Sequence, residues 1–228
     1  MRISVFLFFL FLANAISAQN NIPLVTTVGE AIVYAAPDEI LLNFSITNEA
    51  TGIKDAKFNN NRRTEKAISY LKSQGIEPQH IQTQYISVSP HRDYKNGNKI
   101  THYTASQSIS VCIKDLSKYE TISDELLSLG VNNLNGPTFR NSEIRKYKDE
   151  ARKKAIVAAK EKAQLLAQQL GQSIGKAHNI KEVTGGWAPR SAYANAISDD
   201  ANGSDVGESF APGQIEVRAT VEVSFLLN

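Results

Sequence analysis

Cysteine is almost absent from this sequence, and neither charge sign is in clear excess. The 228 residues include one cysteine, Cys112, so disulfide bonds within the chain cannot stabilise the fold. Lys and Arg number 25 against 23 Asp and Glu, a balance that argues against a nucleic-acid-binding protein. The fold must therefore be held by packing, for which a chain of this length is sufficient.

The apolar run at the N terminus is too short to cross a membrane. Residues 5–12 are almost all apolar, whereas a transmembrane helix needs roughly 20 such residues. Arg2 precedes the run and small residues up to Ala18 follow it, the pattern of a cleaved secretion signal. We expect residues 1–18 to be removed and residues 19–228 to work outside the cytoplasm.

The sequence motifs of common active sites are missing. There is no Gly-x-x-x-x-Gly-Lys loop, Gly-x-Gly-x-x-Gly turn, His-Glu-x-x-His or Cys-x-x-Cys motif, or Gly-x-Ser-x-Gly elbow. We therefore expect no enzyme, no catalytic, cofactor-binding or metal-binding residues, and no small-molecule substrate. An unrecognised hydrolase is the enzymatic alternative.

Alternating apolar residues predict the strands. Residues 25–36 are expected to form a strand with a bulge or bend at Gly29. The strand from Glu39 has a core face, and so has the strand at the C-terminal end. Those two faces consist of Ile40, Leu42, Phe44 and Ile46, and of Ile215, Val217, Ala219, Val221, Val223 and Phe225. Residues 131–141 and 174–183 are also predicted to be strands.

Three helices are predicted, each followed by a glycine that suits a helix end. They span residues 51–74, 117–129 and 143–170, and the second is expected to begin with a capping box of Ser117 and Glu120. The predicted core stripes are Phe58, Ala67, Ile68 and Leu71 in the first, Tyr119, Ile122, Leu126 and Leu129 in the second, and Ala151, Ala155, Ala158, Ala159, Ala163, Leu166 and Leu170 in the third.

A long hairpin is predicted over residues 81–114 around the turn Asn96-Gly97, because Asn-Gly is the strongest two-residue turn signal. This turn pairs residues whose numbers sum to 193. Its expected pairs are Gln84 with Ile109, Ile86 with Gln107, Val88 with Ala105 and His91 with His102. The expected polar face consists of Thr83, Tyr85, Ser87, His91, His102, Ser106, Ser108, Ser110 and Cys112.

These elements predict an α+β fold, with a mixed, largely antiparallel sheet and helices packed on one side. Residues 184–209 are rich in small and polar residues without periodicity, and we expect them to form a flexible insertion. Trp187 and Tyr193 within it are candidate partner anchors, or have no role.

Short motifs along the mature chain resemble the SIMPL-domain family of bacterial envelope proteins. They occur in the family's order at residues 25–31, 36–38, 86–106, 151–167 and 212–215, beginning with Val-Thr-Thr-Val-Gly-Glu-Ala and ending with Pro-Gly-Gln-Ile. The resemblance implies a periplasmic α+β protein that is often oligomeric and has a role in envelope or oxidative stress. It implies no catalytic residues.

Two side-chain groups could nevertheless carry chemistry. The hairpin register places His91 opposite His102, with Cβ atoms about 5 Å apart, and Asp93 near them, so this pair could hold Zn²⁺ or Cu²⁺. The alternative is two exposed histidines at the hairpin tip. Cys112 is interpreted as a half-buried filler, or as a thiol activated by His80 or Lys114, or as an intermolecular disulfide partner.

The third helix carries a run of basic residues: Arg152, Lys153, Lys154, Lys160 and Lys162. Such a run usually forms a solvated face, and peripheral binding to anionic lipids is the alternative. Our leading expectation is a non-enzymatic envelope protein that forms homo-oligomers through sheet edges and the Ser-rich hairpin face. A metal- or redox-responsive protein that uses His91 and His102 or Cys112 is the second expectation.

Overall fold

The fold was analysed on a computed structural model, which describes residues 22–183, 190–192 and 212–228. The predicted signal at residues 1–18 lies outside the described residues, and so does most of the predicted insertion at residues 184–209. The described residues divide into two compact units. The first contains residues 22–32, 149–183 and 218–228, and the second contains residues 33–148, 190–192 and 212–217.

The second unit is built on a six-stranded sheet whose two long strands are β2 (Glu39–Ala50) and β5 (Lys99–Ile113). These strands pair antiparallel from Ile40 with Ile113 to Ala50 with Tyr103. Four shorter strands flank them: β3 (Ile81–Thr83) and β4 (Ser87–Asp93) along β5, and β6 (Asn133–Leu134) and β7 (Thr138–Arg140) along β2.

One face of this sheet forms the core of the second unit. Helix α1 (Ile53–Ser73) packs on β2 and β5, and helix α2 (Tyr119–Ser128) adds Ile122 and Leu126 to the same cluster. The strand residues of the cluster are the alternating apolar ones that the sequence predicts: Ile40, Leu42, Phe44, Ile46, Ile109, Val111 and Ile113. The period-two prediction for β2 is therefore confirmed.

Helix α1 meets the sheet with polar as well as apolar side chains. Its buried residues are Ala56, Asn60, Thr64, Ala67 and Leu71. Asn60 Nδ2 donates to the carbonyl oxygens of Ile46 (2.6 Å) and Ala105 (3.1 Å), so its amide links α1 to both long strands. Phe58, predicted to lie in the core, is 65% exposed because the buried face of the helix passes through Asn60 instead.

The start of α2 differs from the predicted capping box. A 3-10 turn over Leu116–Lys118 precedes the helix, and the side chain of the N-cap residue, Lys118, makes no capping hydrogen bond. The carboxylate of Asp115 accepts from the backbone N–H of Ser117 (3.2 Å) and from its hydroxyl (2.6 Å). The serine side chain is thus a donor in the preceding turn, and its hydroxyl is not the acceptor that a capping box needs.

The first unit contains strands β1 (Leu24–Ala35), β8 (Ile174–Glu182) and β10 (Gln214–Leu227), ordered β1-β10-β8, although the ends of β1 and β10 extend into the second unit. Most of helix α3 (Ile144–Gln169) belongs to this unit and buries a stripe of small residues: Ala151, Ala155, Ala159, Ala163 and Ala167. These small side chains allow the backbone of α3 to lie close to β1. The hydroxyl of Thr27 on β1 accordingly donates to the carbonyl oxygen of Ala159 at 2.8 Å.

Gly29 has a different role from the predicted bulge. Strand β1 continues through it without interruption, and its alternating burial pattern is kept. A Cβ atom at this position would lie 2.0 Å from the carbonyl oxygen of Ala155 and 2.4 Å from the nitrogen of Ala159. The glycine therefore gives the α3 backbone room against the strand.

Two of the large residues predicted for the α3 stripe are exposed. Leu166 and Leu170 are 45% and 77% accessible, because the stripe continues through Ala163 and Ala167. The predicted helix bounds are otherwise confirmed to within a residue, and Gly171 follows the helix end with φ of 69°.

The α+β class is confirmed, and the strands lie in two sheets where the sequence suggested one. Every strand pair with a defined register is antiparallel. Inside the predicted insertion, Arg190–Ala192 forms the short strand β9, which pairs with β10 at residues 214–216. No helix in the described ranges is long and apolar enough to span a membrane.

Candidate functional site at the hairpin, the polar sheet face and the β1 edge

The predicted register of the β4–β5 hairpin is confirmed from Ser87 to His91. Ser87 pairs with Ser106, Val88 with Ala105, and His91 with His102. A shift of one residue follows His91, so Asp93 pairs with Lys99. The predicted turn centre at Asn96-Gly97 is displaced by one residue, because the residues with positive φ are Gly97 and Asn98.

The register is wrong beyond β4. Thr83, not Gln84, pairs with Ile109, and Ile81 pairs with Val111. Residues 84–86 belong to no strand, and Tyr85 between β3 and β4 is fully exposed. This irregular link shifts the register by one residue, so Thr83 leaves the predicted polar face and Ile81 packs against the core.

The two hairpin histidines are in contact. The ring centroids of His91 and His102 lie 4.6 Å apart, with an angle of 42° between the ring planes. Nε2 of His102 lies 3.7 Å from a carboxylate oxygen of Glu49 on the neighbouring strand β2. Sequence reasoning missed Glu49, because the pairing of β2 with β5 is a long-range contact that no local pattern specifies.

Asp93, the acid predicted near the pair, is engaged elsewhere. Its carboxylate accepts from the backbone N–H of Lys95 (2.9 Å) and from the amide of Asn96 (2.7 Å). Both bonds stabilise the hairpin turn. Glu49 is therefore the carboxylate that accompanies the histidines.

The face of the β2–β5 pair opposite α1 carries small polar residues. Thr47 and Ser106 hydroxyls lie 3.1 Å apart, and the hydroxyl of Ser110 donates to the side-chain oxygen of Asn43 at 2.5 Å. A shallow cleft of about 270 Å³ opens on this face, and none of its lining residues is charged. The polar side chains at the cleft are Asn43, Ser45, Gln84, Ser108, Ser110, Asn133 and Asn135. Such a surface can form hydrogen bonds, but it offers no acid, base or metal ligand.

Cys112 lines a second cleft, of about 130 Å³, together with His80 and Lys114. Burial raises the pKa of its thiol, and the charge of Glu39 with a hydrogen bond to its carboxylate raises that pKa further. Lys114 and Arg140 act in the opposite direction and are outweighed. The environment thus favours the protonated thiol, which opposes the predicted activation by Lys114 or His80.

This balance gives a testable pH dependence. Alkylation of Cys112 by iodoacetamide should reach half its maximal rate at a pH above that of an unperturbed thiol, because only the thiolate reacts. Glu39→Gln removes the negative charge and should move the alkylation profile to lower pH. Glu65→Gln, at an exposed position on α1, is the matched control and should leave the profile unchanged. An unchanged profile in Glu39→Gln would contradict this account of the thiol.

The basic run on α3 is partly neutralised within the first unit. Arg152 contacts Glu182 on β8 and Asp149, both at 2.8 Å, and these hydrogen bonds raise its pKa. Lys154 contacts Glu150 at 2.8 Å. These pairs fit the interpretation of the run as a solvated face.

Strand β1 forms an edge that the sequence analysis did not single out. Among the described residues it pairs with β10 alone, so its other edge has no partner there. Its outward side chains include Leu24, Val28 and Ile32, which are 36%, 38% and 37% exposed. The alternation at this strand was visible in the sequence, but which of its two faces is covered depends on α3.

Comparison with known proteins finds a family and several relatives. The profile of the SIMPL family, described as a protein of unknown function (DUF541), matches residues 25–225. The chain is 32% identical over 166 residues to the 26 kDa periplasmic immunogenic protein of Brucella melitensis. That match covers 70% of this chain and 66% of the Brucella protein, slightly under two thirds of its length.

Two further relatives match over more of their length. The chain is 27% identical to the uncharacterized protein YggE of Edwardsiella ictaluri over 209 residues, which cover 90% of this chain and 87% of that protein. It is also 27% identical to YggE of Escherichia coli K12 over 206 residues, with coverage of 90% and 83%. A profile match that spans nearly all of the described fold shows that the chain belongs to the SIMPL family.

Proposed function

We propose that the mature chain is a non-enzymatic periplasmic protein that assembles with further copies of itself through the edge of strand β1. The observation that carries this proposal is a twelve-residue strand that pairs on one side in the described structure and exposes apolar side chains. A long apolar edge strand is a ready template for pairing with another chain. The name of the Brucella relative and the signal-like N terminus support the periplasmic location.

The other strand edges are better protected against pairing. Strand β8 carries Lys176 and Lys181, and β4 contains Pro90 and Arg92. Lysine, other charges and proline on an edge strand are known devices against edge-to-edge association. In β1 the only charged residue is Glu30, so β1 is the long edge strand with the least protection against pairing with another chain.

The volumes of the two clefts described above are small for catalytic sites. The two clefts described above measure about 270 and 130 Å³, below the range of roughly 300 to 1,000 Å³ that is usual for ligand pockets. The larger cleft has no ionisable side chain. The smaller one is lined by Cys112, whose pKa burial raises, and by the ionisable side chains of Glu77, His80, Lys114, Asp115 and Lys118. The role in envelope or oxidative stress implied by the family would therefore be exerted through the assembled surface, without a reactive cysteine.

Light scattering of the mature chain at micromolar concentration tests the assembly. We expect a mass well above that of one mature chain, which is smaller than the 25.1 kDa of the full sequence. The double variant Val28→Lys with Ile32→Lys should shift the mass toward that of one chain, because two cations on the edge strand oppose pairing. Val157→Lys, on the exposed face of α3, is the matched control and should assemble like wild type.

Two outcomes would contradict the proposal. A wild-type chain that remains monomeric up to about 100 µM would remove self-assembly altogether. An assembly that persists in the β1 double variant would place the contact on another surface, with the Ser-rich face of β5 as the next candidate. Circular dichroism of each variant establishes that the fold is retained.

A further inference from the structure

Three side chains with metal-binding atoms lie together on one face of the hairpin and its neighbouring strand. His91 of β4 faces His102 of β5 directly, and Glu49 of β2 lies on the other side of His102. Strand pairing therefore fixes the backbone positions of all three. The four histidines of the chain are His80, His91, His102 and His178, and only this pair is in ring contact within the described residues.

Thr101 orients the His102 ring for coordination. The threonine hydroxyl donates to the carbonyl oxygen of His91 at 3.3 Å, and its oxygen lies 2.9 Å from Nδ1 of His102. In the tautomer that carries its proton on Nδ1, which a metal bound at Nε2 requires, the threonine oxygen accepts that proton. This assignment leaves a lone pair on Nε2, the nitrogen that faces Glu49, and such a hydrogen bond to the distal nitrogen is the usual support of a metal-ligating histidine.

The unprotonated Nε2 of His102 and the carboxylate of Glu49 are then two acceptors at 3.7 Å. They attract each other only through a proton or a cation between them. With bonds of roughly 2.1 Å, two ligand atoms of a tetrahedral metal lie about 3.4 Å apart, close to the observed separation. Two imidazoles that share such a metal have ring centroids about 5 Å apart, against the 4.6 Å found here.

We propose that His102, Glu49 and His91 bind one divalent cation of the late first-row transition metals, with Cu²⁺ preferred over Zn²⁺. Imidazole nitrogens suit both ions, and the general order of affinities places Cu²⁺ above Zn²⁺. Among the described residues no three His, Cys, Asp or Glu side chains are already arranged to hold a metal ion, so binding here requires side chains to move. His91 and Glu49 are exposed and can turn toward the cation while strand pairing holds their backbones.

Calorimetric titration of Cu²⁺ and Zn²⁺ into the mature chain tests the site. We expect one equivalent to bind, with Cu²⁺ tighter, and His102→Ala should weaken binding at least tenfold. Glu49→Gln and His91→Ala should each weaken it as well. Binding should fall in mildly acidic buffer, because protons compete with the metal for imidazole nitrogen.

The matched controls are His80→Ala and His178→Ala, which remove the two histidines outside the hairpin and should leave the affinity unchanged. Electron paramagnetic resonance of the Cu²⁺ complex gives an independent readout, with coupling to two imidazole nitrogens that falls to one in His91→Ala. Equal affinity in wild type and His102→Ala, or a spectrum without imidazole nitrogen, would overturn the proposal. The self-assembly experiment in EDTA is independent of this result, so the two proposals can fail separately.

Discussion

Replacing Asn60 with aspartate is expected to lower the free energy of unfolding by about 4 kcal/mol at pH 7, because the fold must either bury a charge against two carbonyl oxygens or take up a proton to neutralise it. Asn60 is fully buried, and its amide donates to Ile46 and Ala105 on adjacent strands. An aspartate removes both donors. Urea denaturation followed by circular dichroism measures the effect.

The free energy of unfolding of the aspartate variant should also depend on pH, in a direction that can be stated in advance. Burial raises the pKa of a carboxyl group, so the folded variant would hold a proton that the unfolded chain releases above about pH 4. The stability of the variant relative to wild type should therefore fall as the pH rises from about 4 toward 7. A stability difference that stays constant or narrows over this range would contradict the burial of the new carboxyl group.

The sequence offers two matched controls on either side of this residue. Asn59 and Asn61 are exposed on the same helix, so Asn59→Asp and Asn61→Asp introduce the same charge into water. Each should change the free energy of unfolding by less than about 0.5 kcal/mol. Asn60→Leu should destabilise the fold by about 2 kcal/mol, since it leaves both carbonyl oxygens without this donor. Equal effects at all three positions would show that the amide of Asn60 does not link α1 to the sheet.

The second large effect is expected at Gly29. A Cβ atom at Gly29 would lie 2.0 Å from the carbonyl oxygen of Ala155 and 2.8 Å from Cβ of Ala159, distances that force α3 away from β1. Gly29→Ala should therefore lower the free energy of unfolding by about 3 kcal/mol, despite the entropy advantage of alanine in the unfolded chain. Separation of the helix from the strand should also weaken the hydrogen bond from Thr27 to Ala159.

Gly136→Ala provides the control for this substitution. No atom lies within 4 Å of a Cβ at that position, and its φ is not in the left-handed region. We expect a change within about 0.5 kcal/mol in urea denaturation. If Gly29→Ala proved as stable as Gly136→Ala, the close approach of α3 to β1 would be wrong.

The hairpin illustrates how far local sequence reasoning extends. The Asn96-Gly97 turn predicts the pairing of His91 with His102, and that pair is found. The turn itself differs from the prediction, because its left-handed residues are Gly97 and Asn98, and a shift of one residue after His91 restores the expected pair. The same rule fails beyond Tyr85, where an irregular link shifts the pairing of β3 by one residue. Glu49 reaches the pair through a different strand, so no property of the hairpin sequence could indicate it.

The buried faces of helices α3 and α1 also differ in how well the sequence predicts them. In α3 the predicted stripe is confirmed at four alanines spaced by four residues, from Ala151 to Ala163, and it is wrong at Leu166 and Leu170, which are exposed. In α1 the largest apolar residue of the first half, Phe58, is exposed, and Asn60 and Thr64 are buried. Composition favours the opposite arrangement. The amide of Asn60 satisfies carbonyl oxygens of two strands, and that requirement exists only once the sheet has formed.

The sequence by itself determined the α+β class, the bounds of the main helices, the core faces of β2 and β10, and the contact between the hairpin histidines. Each follows from side-chain periodicity or from the geometry of a short turn, which are local properties of the chain. Tertiary structure alone decided the division into two sheets, the burial of Asn60, the need for Gly29 and the place of Glu49. These features depend on contacts between elements that are far apart in the sequence. At such contacts the distance between two backbones, and the need of carbonyl oxygens for a donor, decide which residue can occupy the position.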